Sequence, residues 1–397
     1  MTDILPSEEC LELITLLTVS DHVFSLYSER RVPDNQNLGY VSRTSGILPV
    51  EIKVSSLFFW DVLRKNSGCE QSVLQNIETG IKPMKRTRKT KPSHAKDLDE
   101  DCISLEFSLH QSLELLHSSK ENSTTGAILW RVSPFFAEWV LTPGTVFYPL
   151  FTRLRHETEQ LRIIEIGAGV GGVLTCALSL PFFASTSDSK CSGGLYVATD
   201  QLHILPFLRK NIAYNMHVSQ EAIAQALPDH RRAEKAPSYT SLTIAKQETK
   251  ESPHPIDRRT KQKSKSPSIG SRKNSDREVA AATAQIEVLE LDWERAKQDI
   301  KYVKDTLSVQ DFDIVIACDT IYNDFLITPF VNTLSLLASD RTHILVGVQM
   351  RAHDVLEAFL KEVFKVGGLQ VWYVKAEYLS RNLRDGFAIY YLRKSSD

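Results

Sequence analysis

From Leu161 onward the chain alternates short β-rich runs with helical patterns, and this alternation restricts the architecture more than any other feature. "RIIEI" (residues 162–166) is followed by "GGVLTCALSL" (171–180), and "LYVATD" (195–200) by "ILPFLRKNIAYN" (204–215). After "QIEVLEL" (285–291) come "FDIVIAC" (312–318) with "FLITPFVNTLSLLA" (325–338), then "HILVGVQ" (343–349) with "VLEAFLKEVFK" (355–365). Strands alternating with helices build βαβ units, a parallel sheet and right-handed crossovers. The last two β runs, "LQVWYVKAEYL" (369–379) and "GFAIYYLRK" (386–394), are separated only by the polar "SRNLRD" (380–385). No helix fits between them, so they predict a hairpin and one antiparallel strand in an otherwise parallel sheet. The expected class is α/β, with a seven-stranded, mostly parallel sheet ending in that hairpin.

The glycines of "RIIEIGAGVGGVL" (162–174) say what such a sheet could hold. A buried strand ends at Ile166, and the chain turns through Gly167, Gly169, Gly171 and Gly172 into a helix. Glycines there permit a tight turn and let a ligand approach the amides at a helix N-terminus. Gly167, Gly169 and Gly172 satisfy GxGxxG, a weak dinucleotide signal when it stands alone, and a plain strand-to-helix turn is the bland alternative. Three features favour S-adenosylmethionine over a nicotinamide dinucleotide. Glu165, two residues before the first glycine, can face the cationic half of an amino-acid cofactor, where a pyrophosphate would be repelled. A helical region through "GAILWRVSPFFAEWVL" (126–141), interrupted at Pro134, precedes the strand and lets Trp130 close over the site. The C-terminal hairpin matches the layout of Rossmann-like class I methyltransferases. Asp200, at the tip of the second strand, would accept hydrogen bonds from ribose hydroxyls in either reading.

"FDIVIACDTIYND" (312–324) raises a further question, because a core run ends abruptly in Asp319 and Tyr322. The carboxyl edge of an open α/β sheet is where ligands bind. The pair either caps and begins the next helix or stands at the edge of a reaction.

Taken together, Glu165 to Gly171 ("EIGAGVG"), "LDW" (291–293) and "DTIY" (319–322) resemble the seven-strand protein-lysine methyltransferases that carry a DxxY motif. "STTGAILW" (123–130) followed by "PFF" (134–136) is similar to a fungal branch of that family. The resemblance covers roughly residues 107–393 apart from a long insertion. It implies an S-adenosylmethionine-dependent protein-lysine N-methyltransferase acting on the L1-stalk protein of the large ribosomal subunit. It also implies that Trp130 contacts the cofactor, that Gly167, Ala168 and Gly169 wrap its methionine part, and that Asp200 holds the ribose. Trp293 would lie beside the adenine and Cys318, where many relatives have alanine, would line the pocket. Both tryptophans could instead be core aromatics. Methyl transfer to an amine is an in-line displacement that needs a neutral nucleophile held close to the methyl group. A free lysine has a pKa near ~10.4. Asp319 and Tyr322 are therefore the expected catalytic pair, Asp319 accepting a hydrogen bond from the incoming ammonium and Tyr322 supplying an aromatic wall or a hydroxyl. Alternatives are a methyltransferase for RNA or a small molecule, a non-catalytic protein retaining the fold, and a nicotinamide-dependent reductase. "DTIY" in place of an "NPPY"-type tetrad favours protein lysine over nucleic acid.

Composition narrows the remainder. Of 397 residues, 42% are hydrophobic and 9% aromatic, enough for a proper core. A formal net charge of -2 gives no global pull toward nucleic acid or membrane. The six cysteines show no CxxC, and the eleven histidines no HxxxH pairing, so reduced thiols and no metal site are expected. An acidic N-terminal stretch and the lack of a ~20-residue apolar run predict a protein without signal peptide or membrane span. Residues 1–120 read as an accessory region, with a helix at "CLELITLLTV" (10–19) and strands near 50–60 and 103–109. The basic-to-acidic stretch 81–101, with "KRTRK" (85–89), reads as a solvated loop, or as a nuclear-localisation or RNA-contact patch. Residues 121–397 read as the catalytic domain. They are interrupted at about 218–281 by a Ser-, Lys- and Arg-rich insertion too poor in large aliphatics to offset its ordering entropy. The expected protein is a monomer, cytoplasmic with a nuclear location as the alternative, binding a protein substrate and no nucleic acid directly.

Overall fold

The computed structural model describes Pro6 and residues 8–30, 39–58, 102–116, 125–153, 161–180, 194–226 and 285–395. The basic stretch 81–101 and the insertion from residue 227 lie outside them. Residues 218–226, assigned to the insertion by composition, instead complete a helix.

Among the described residues, ten strands form two sheets. In chain order they are β1 (Leu11–Ile14), β2 (Ile47–Ser55), β3 (Cys102–His110), β4 (Leu161–Ile166), β5 (Gly194–Asp200), β6 (Gln285–Glu290), β7 (Ile314–Cys318), β8 (His343–Gln349), β9 (Leu369–Val374) and β10 (Phe387–Lys394). The main sheet has the order β1-β9-β10-β8-β7-β4-β5-β6. Strands β4 to β8 run parallel, and β10 inserts antiparallel between β8 and β9. The expected seven strands and terminal hairpin are present, although the polar connection holds a short helix, Arg381–Arg384.

An eighth strand departs from the sequence reading. Residues 11–14, expected to be helical, pair antiparallel with β9, Leu11 against Val374 and Ile14 against Val371. A four-residue segment such as Leu-Glu-Leu-Ile has no secondary structure of its own, and the open edge of β9 offers backbone partners that a helix would forgo. The helix begins later, as α1 (Val19–Glu29).

Six further helices matter for the site: α2 (Val132–Leu141), α3 (Val173–Leu178), α4 (Leu205–Ala226), α5 (Ala296–Leu307), α6 (Asp324–Leu337) and α7 (His353–Val366). Alternate residues of the central strands bury against opposite layers. Ile163, Tyr196, Ile316 and Leu345 pack with α2, α3, α4 and the β2–β3 hairpin. Ile164, Val197, Val315 and Ile344 pack with α1, α5, α6 and α7. This period of two is what a sheet covered on both faces requires. Residues before 120 thus contribute to both faces, α1 to one and the hairpin to the other. Pro134 does not interrupt α2; it lies in the first turn, where its missing N–H has no intrahelical partner to lose.

Candidate active site

The carboxyl ends of β4 to β7 open into one cleft, at the edge of the sheet where open α/β folds bind ligands. Its wall includes Trp130, Gly167, Ala168, Gly169, Asp200, Trp293, Cys318, Asp319 and Tyr322. Nine of the ten residues singled out from sequence therefore meet in one place, although they span nearly two hundred positions of chain.

At the end of β4 the loop makes close backbone approaches. A Cβ on Gly169, whose φ is +63°, would stand 3.1 Å from the Gly126 carbonyl oxygen, and one on Gly167 would stand 3.2 Å from the Trp293 ring. Three successive amides of the loop are committed within the protein. Ala168 N donates to the Thr199 carbonyl (2.9 Å), Val170 N to the Gly126 carbonyl (2.8 Å), and Gly169 N to Asp200 Oδ2 (2.8 Å). A pyrophosphate cradle needs such amides free. Their internal use favours a ligand without phosphate.

Glu165 is the exception among the ten. It is buried beneath the loop rather than in the cleft wall, and its Oε2 accepts from Tyr196 Oη (2.9 Å) and Thr175 Oγ1 (3.2 Å). Burial pushes its carboxyl up to about 7. The expectation that it faces the cofactor's cationic half is corrected accordingly: it braces β4, β5 and α3 from behind. Asp200 does reach the cleft, with Oδ1 accepting from Gln201 N at 2.7 Å. Burial raises it to about 6, against the two amide hydrogen bonds that lower it.

Trp293 follows β6 in a single 3-10 turn capped by Asp292, which accepts from Glu294 N (3.0 Å). Its ring leans on Phe330 of α6, centroids 5.1 Å apart, and faces Gly167. With Leu291 and Leu326 it forms an apolar wall suited to a flat heteroaromatic ring. Trp130 precedes α2 rather than sitting on it, and its backbone forms an antiparallel bridge with Tyr40. The helical placement expected for it fails because Gly39 and Val41 engage the backbone on either side of it.

Asp319 has φ +61°, one of two non-glycine residues with positive φ among those described. Such conformations cost about 1–3 kcal/mol and concentrate at functional sites. It does not cap α6; Asn323 does, accepting from Phe325 N at 3.1 Å. Helix initiation therefore does not explain Asp319. Nor is its carboxylate free: Oδ1 accepts from Arg351 Nη1 (2.8 Å), Oδ2 from Arg351 Nη2, and the Asp319 side chain has no exposed surface. Burial raises its carboxyl and Arg351 opposes that rise. Tyr322, 37% exposed, is the member of the pair that reaches into the opening. Cys318 lines the floor, its thiol held far above its ordinary value by burial.

Arg351 was not legible from the sequence. Its only signal is its position two residues past β8, at the same edge of the sheet. Thr320 likewise carries no distinctive sequence signal. It lines the cleft, and among the described residues its buried hydroxyl has no hydrogen-bond partner, an orphaned polar atom that a ligand could satisfy.

Fold and cleft together define a class I, S-adenosylmethionine-dependent methyltransferase. Comparison with known proteins refines this class. A family model described as lysine methyltransferase matches residues 271–366, the stretch holding "LDW" and "DTIY". Ribosomal lysine N-methyltransferase 5 of Candida glabrata is 26% identical over 342 residues, 76% of this chain and 84% of the relative. Proteins of the same name from Zygosaccharomyces rouxii and Saccharomyces cerevisiae are 28% and 25% identical, covering 69% and 87% of this chain and 76% and 89% of their own lengths. Over these stretches the chain is similar to lysine methyltransferases. Among the described residues no helix is long and apolar enough to cross a membrane, and no cluster of three or more His, Cys, Asp or Glu could hold a metal.

Proposed function

We propose that this protein methylates a lysine side chain of a large-subunit ribosomal protein. The observation that carries the reading is the meeting, in one cleft, of a cofactor half and an acceptor half. Gly167, Ala168, Gly169, Asp200 and Trp293 form the first, and Cys318, Asp319 and Tyr322 the second. The ribosomal substrate is supported by the names of the relatives, all of which match over more than two thirds of this chain.

S-adenosylmethionine, when bound, supplies a methyl group on a sulfonium. The glycine loop would hold its amino-acid part, Asp200 its ribose hydroxyls, and the wall of Trp293, Leu291 and Leu326 its adenine. Thr320 Oγ1 offers one further polar contact. This chain's own task is to exclude water and align the amine, and proximity of this kind can be worth roughly 7–11 kcal/mol of barrier. Tyr322 bounds the opening through which the lysine would enter, and Asp319 shapes the wall beside it. The protein acts as a monomer in the cytoplasm, where assembled subunits are found.

The test is incubation with methyl-labelled S-adenosylmethionine and salt-washed large ribosomal subunits from yeast cells lacking the related enzyme. One labelled protein band, with the label recovered as methyl-lysine after hydrolysis, is expected. Label in RNA, or no transfer by a protein that binds S-adenosylhomocysteine, would overturn the substrate class.

A further inference from the structure

The acceptor end carries a feature that the family motif does not account for. Asp319 is gripped through both oxygens by Arg351, whose side chain is 17% exposed. The guanidinium carbon stands 4.6 Å from the centroid of the Trp130 ring, a cation–π distance. Trp130 in turn meets the edge of Tyr40 (6.4 Å, 77° between planes), and Arg43 lies 5.4 Å from the Tyr40 centroid. A continuous stack thus runs from the segment around Tyr40 to the strained residue at the end of β7. Trp130 and Asp319 line the cleft; Arg351 stands behind both.

Charge gives this arrangement its meaning. The nucleophile is the neutral amine, whereas an isolated carboxylate beside a lysine favours the ammonium. A guanidinium does not deprotonate in proteins. We propose that Arg351 is a positioning residue for methyl transfer: it fixes Trp130 and Asp319 at the acceptor end and cancels the charge of Asp319, so that no free anion holds the substrate lysine as ammonium. This rests on the lysine reading given above. It reverses the simple role for the motif aspartate, which here acts through its partner and not as an open acceptor for the ammonium.

Other titratable groups face the pair. Tyr27 of α1 is close enough to Arg351 to feel its charge, and burial pushes it up to about 12, so it stays neutral in the working range. His353 and Asp354 of α7 lie around Tyr27, the imidazole 6.1 Å from its ring. Cys318 and Glu165 lie on the Asp319 side. Arg43 is separated from Arg351 by two aromatic rings.

The experiment compares wild type, Arg351→Lys, Arg351→Gln, Asp319→Asn and the double variant R351Q/D319N. Rates on the large subunits described above are followed from pH 6.5 to 9.5 at saturating S-adenosylmethionine, in a His353→Gln background that keeps the profile free of that imidazole. Calorimetry with S-adenosylhomocysteine and a thermal melt accompany each variant. For R351Q we expect at least a tenfold loss at pH 7, most of it recovered by pH 9.5, with cofactor affinity within about threefold of wild type. R351K keeps the wild-type pH profile, and R351Q/D319N outperforms R351Q at pH 7. A loss in R351Q that is equal at every pH and unrelieved in the double variant overturns the proposal while leaving lysine methylation standing. Label on RNA, or on a protein group other than a lysine amine, in the wild type overturns both.

Discussion

Single residues decide which parts of the cleft tolerate change. Gly169 holds a left-handed φ with the Gly126 carbonyl 3.1 Å from where a Cβ would be. An L side chain in that conformation costs roughly 1–2 kcal/mol, and relief means moving the loop away from Asp200. Gly169→Ala is therefore expected to weaken S-adenosylhomocysteine binding about tenfold by calorimetry, with a cooperative melt retained. Unchanged affinity would show that the loop does not hold the ligand. The glycine spacing and the aspartate at the tip of β5 were legible because both follow from backbone geometry at a strand end. The burial of Glu165 was not. Alternation along β4 puts residue 165 on the same face as Ile163, but only the tertiary partners Tyr196 and Thr175 show that this face lies under α3 and not in the cleft. The grip of Arg351 on Asp319 was hidden for a similar reason: the two are 32 positions apart, just past the ends of neighbouring strands.

At the scale of elements, the hairpin β2–β3 stays attached through an unusual edge. Asn211 and Asn215, one turn apart on α4, treat β3 as a neighbouring strand would. Asn215 accepts from Ser108 N (2.7 Å) and donates to the Ser108 carbonyl (3.0 Å); Asn211 does the same with His110 (2.8 and 2.9 Å). An edge strand left bare invites foreign pairing, and these amides close it. Replacing Asn215 with alanine leaves a strand N–H and C=O unpaired, at about 1–3 kcal/mol. Hydrogen exchange at the Ser108 amide should speed up by about tenfold or more while amides of β4 keep their protection. Equal protection at Ser108 would mean that the hairpin is held by its apolar face alone. The sequence indicated the strands themselves through their alternating apolar residues. It gave no sign of this clasp, since two asparagines at i and i+4 on a helix read equally well as solvent-facing polar residues. The strand β1 was unreadable for the complementary reason: what makes residues 11–14 extended is the edge of β9, more than 350 positions away.

Across the whole molecule, the two layers covering the sheet carry buried groups with opposite pH responses. In one layer Glu165 is pushed from 4.5 to about 7 by burial. Its folded form holds the proton that the unfolded chain releases, so its contribution falls as pH rises from about 4.5 to 7. Asp200, raised from 3.8 to about 6, acts in the same direction at lower pH. In the other layer His22, beside Tyr390 Oη at 3.1 Å, is lowered by burial from 6.5 to about 4. There the unfolded chain takes up the proton first, so stability is lost as pH falls through that interval. The carboxyls outnumber the imidazole, and the wild type should lose stability between pH 4.5 and 7. Glu165→Gln keeps the shape and a hydrogen-bonding oxygen but removes one carboxyl titration. At about 1.36 kcal/mol per pKa unit, its advantage over wild type in urea unfolding should grow by roughly 2 kcal/mol between pH 5.5 and pH 8, which leaves the variant nearly level where the wild type declines. Parallel curves for the two proteins would mean that Glu165 is ionised in the folded state and that Tyr196 and Thr175 stabilise the anion more than burial penalises it.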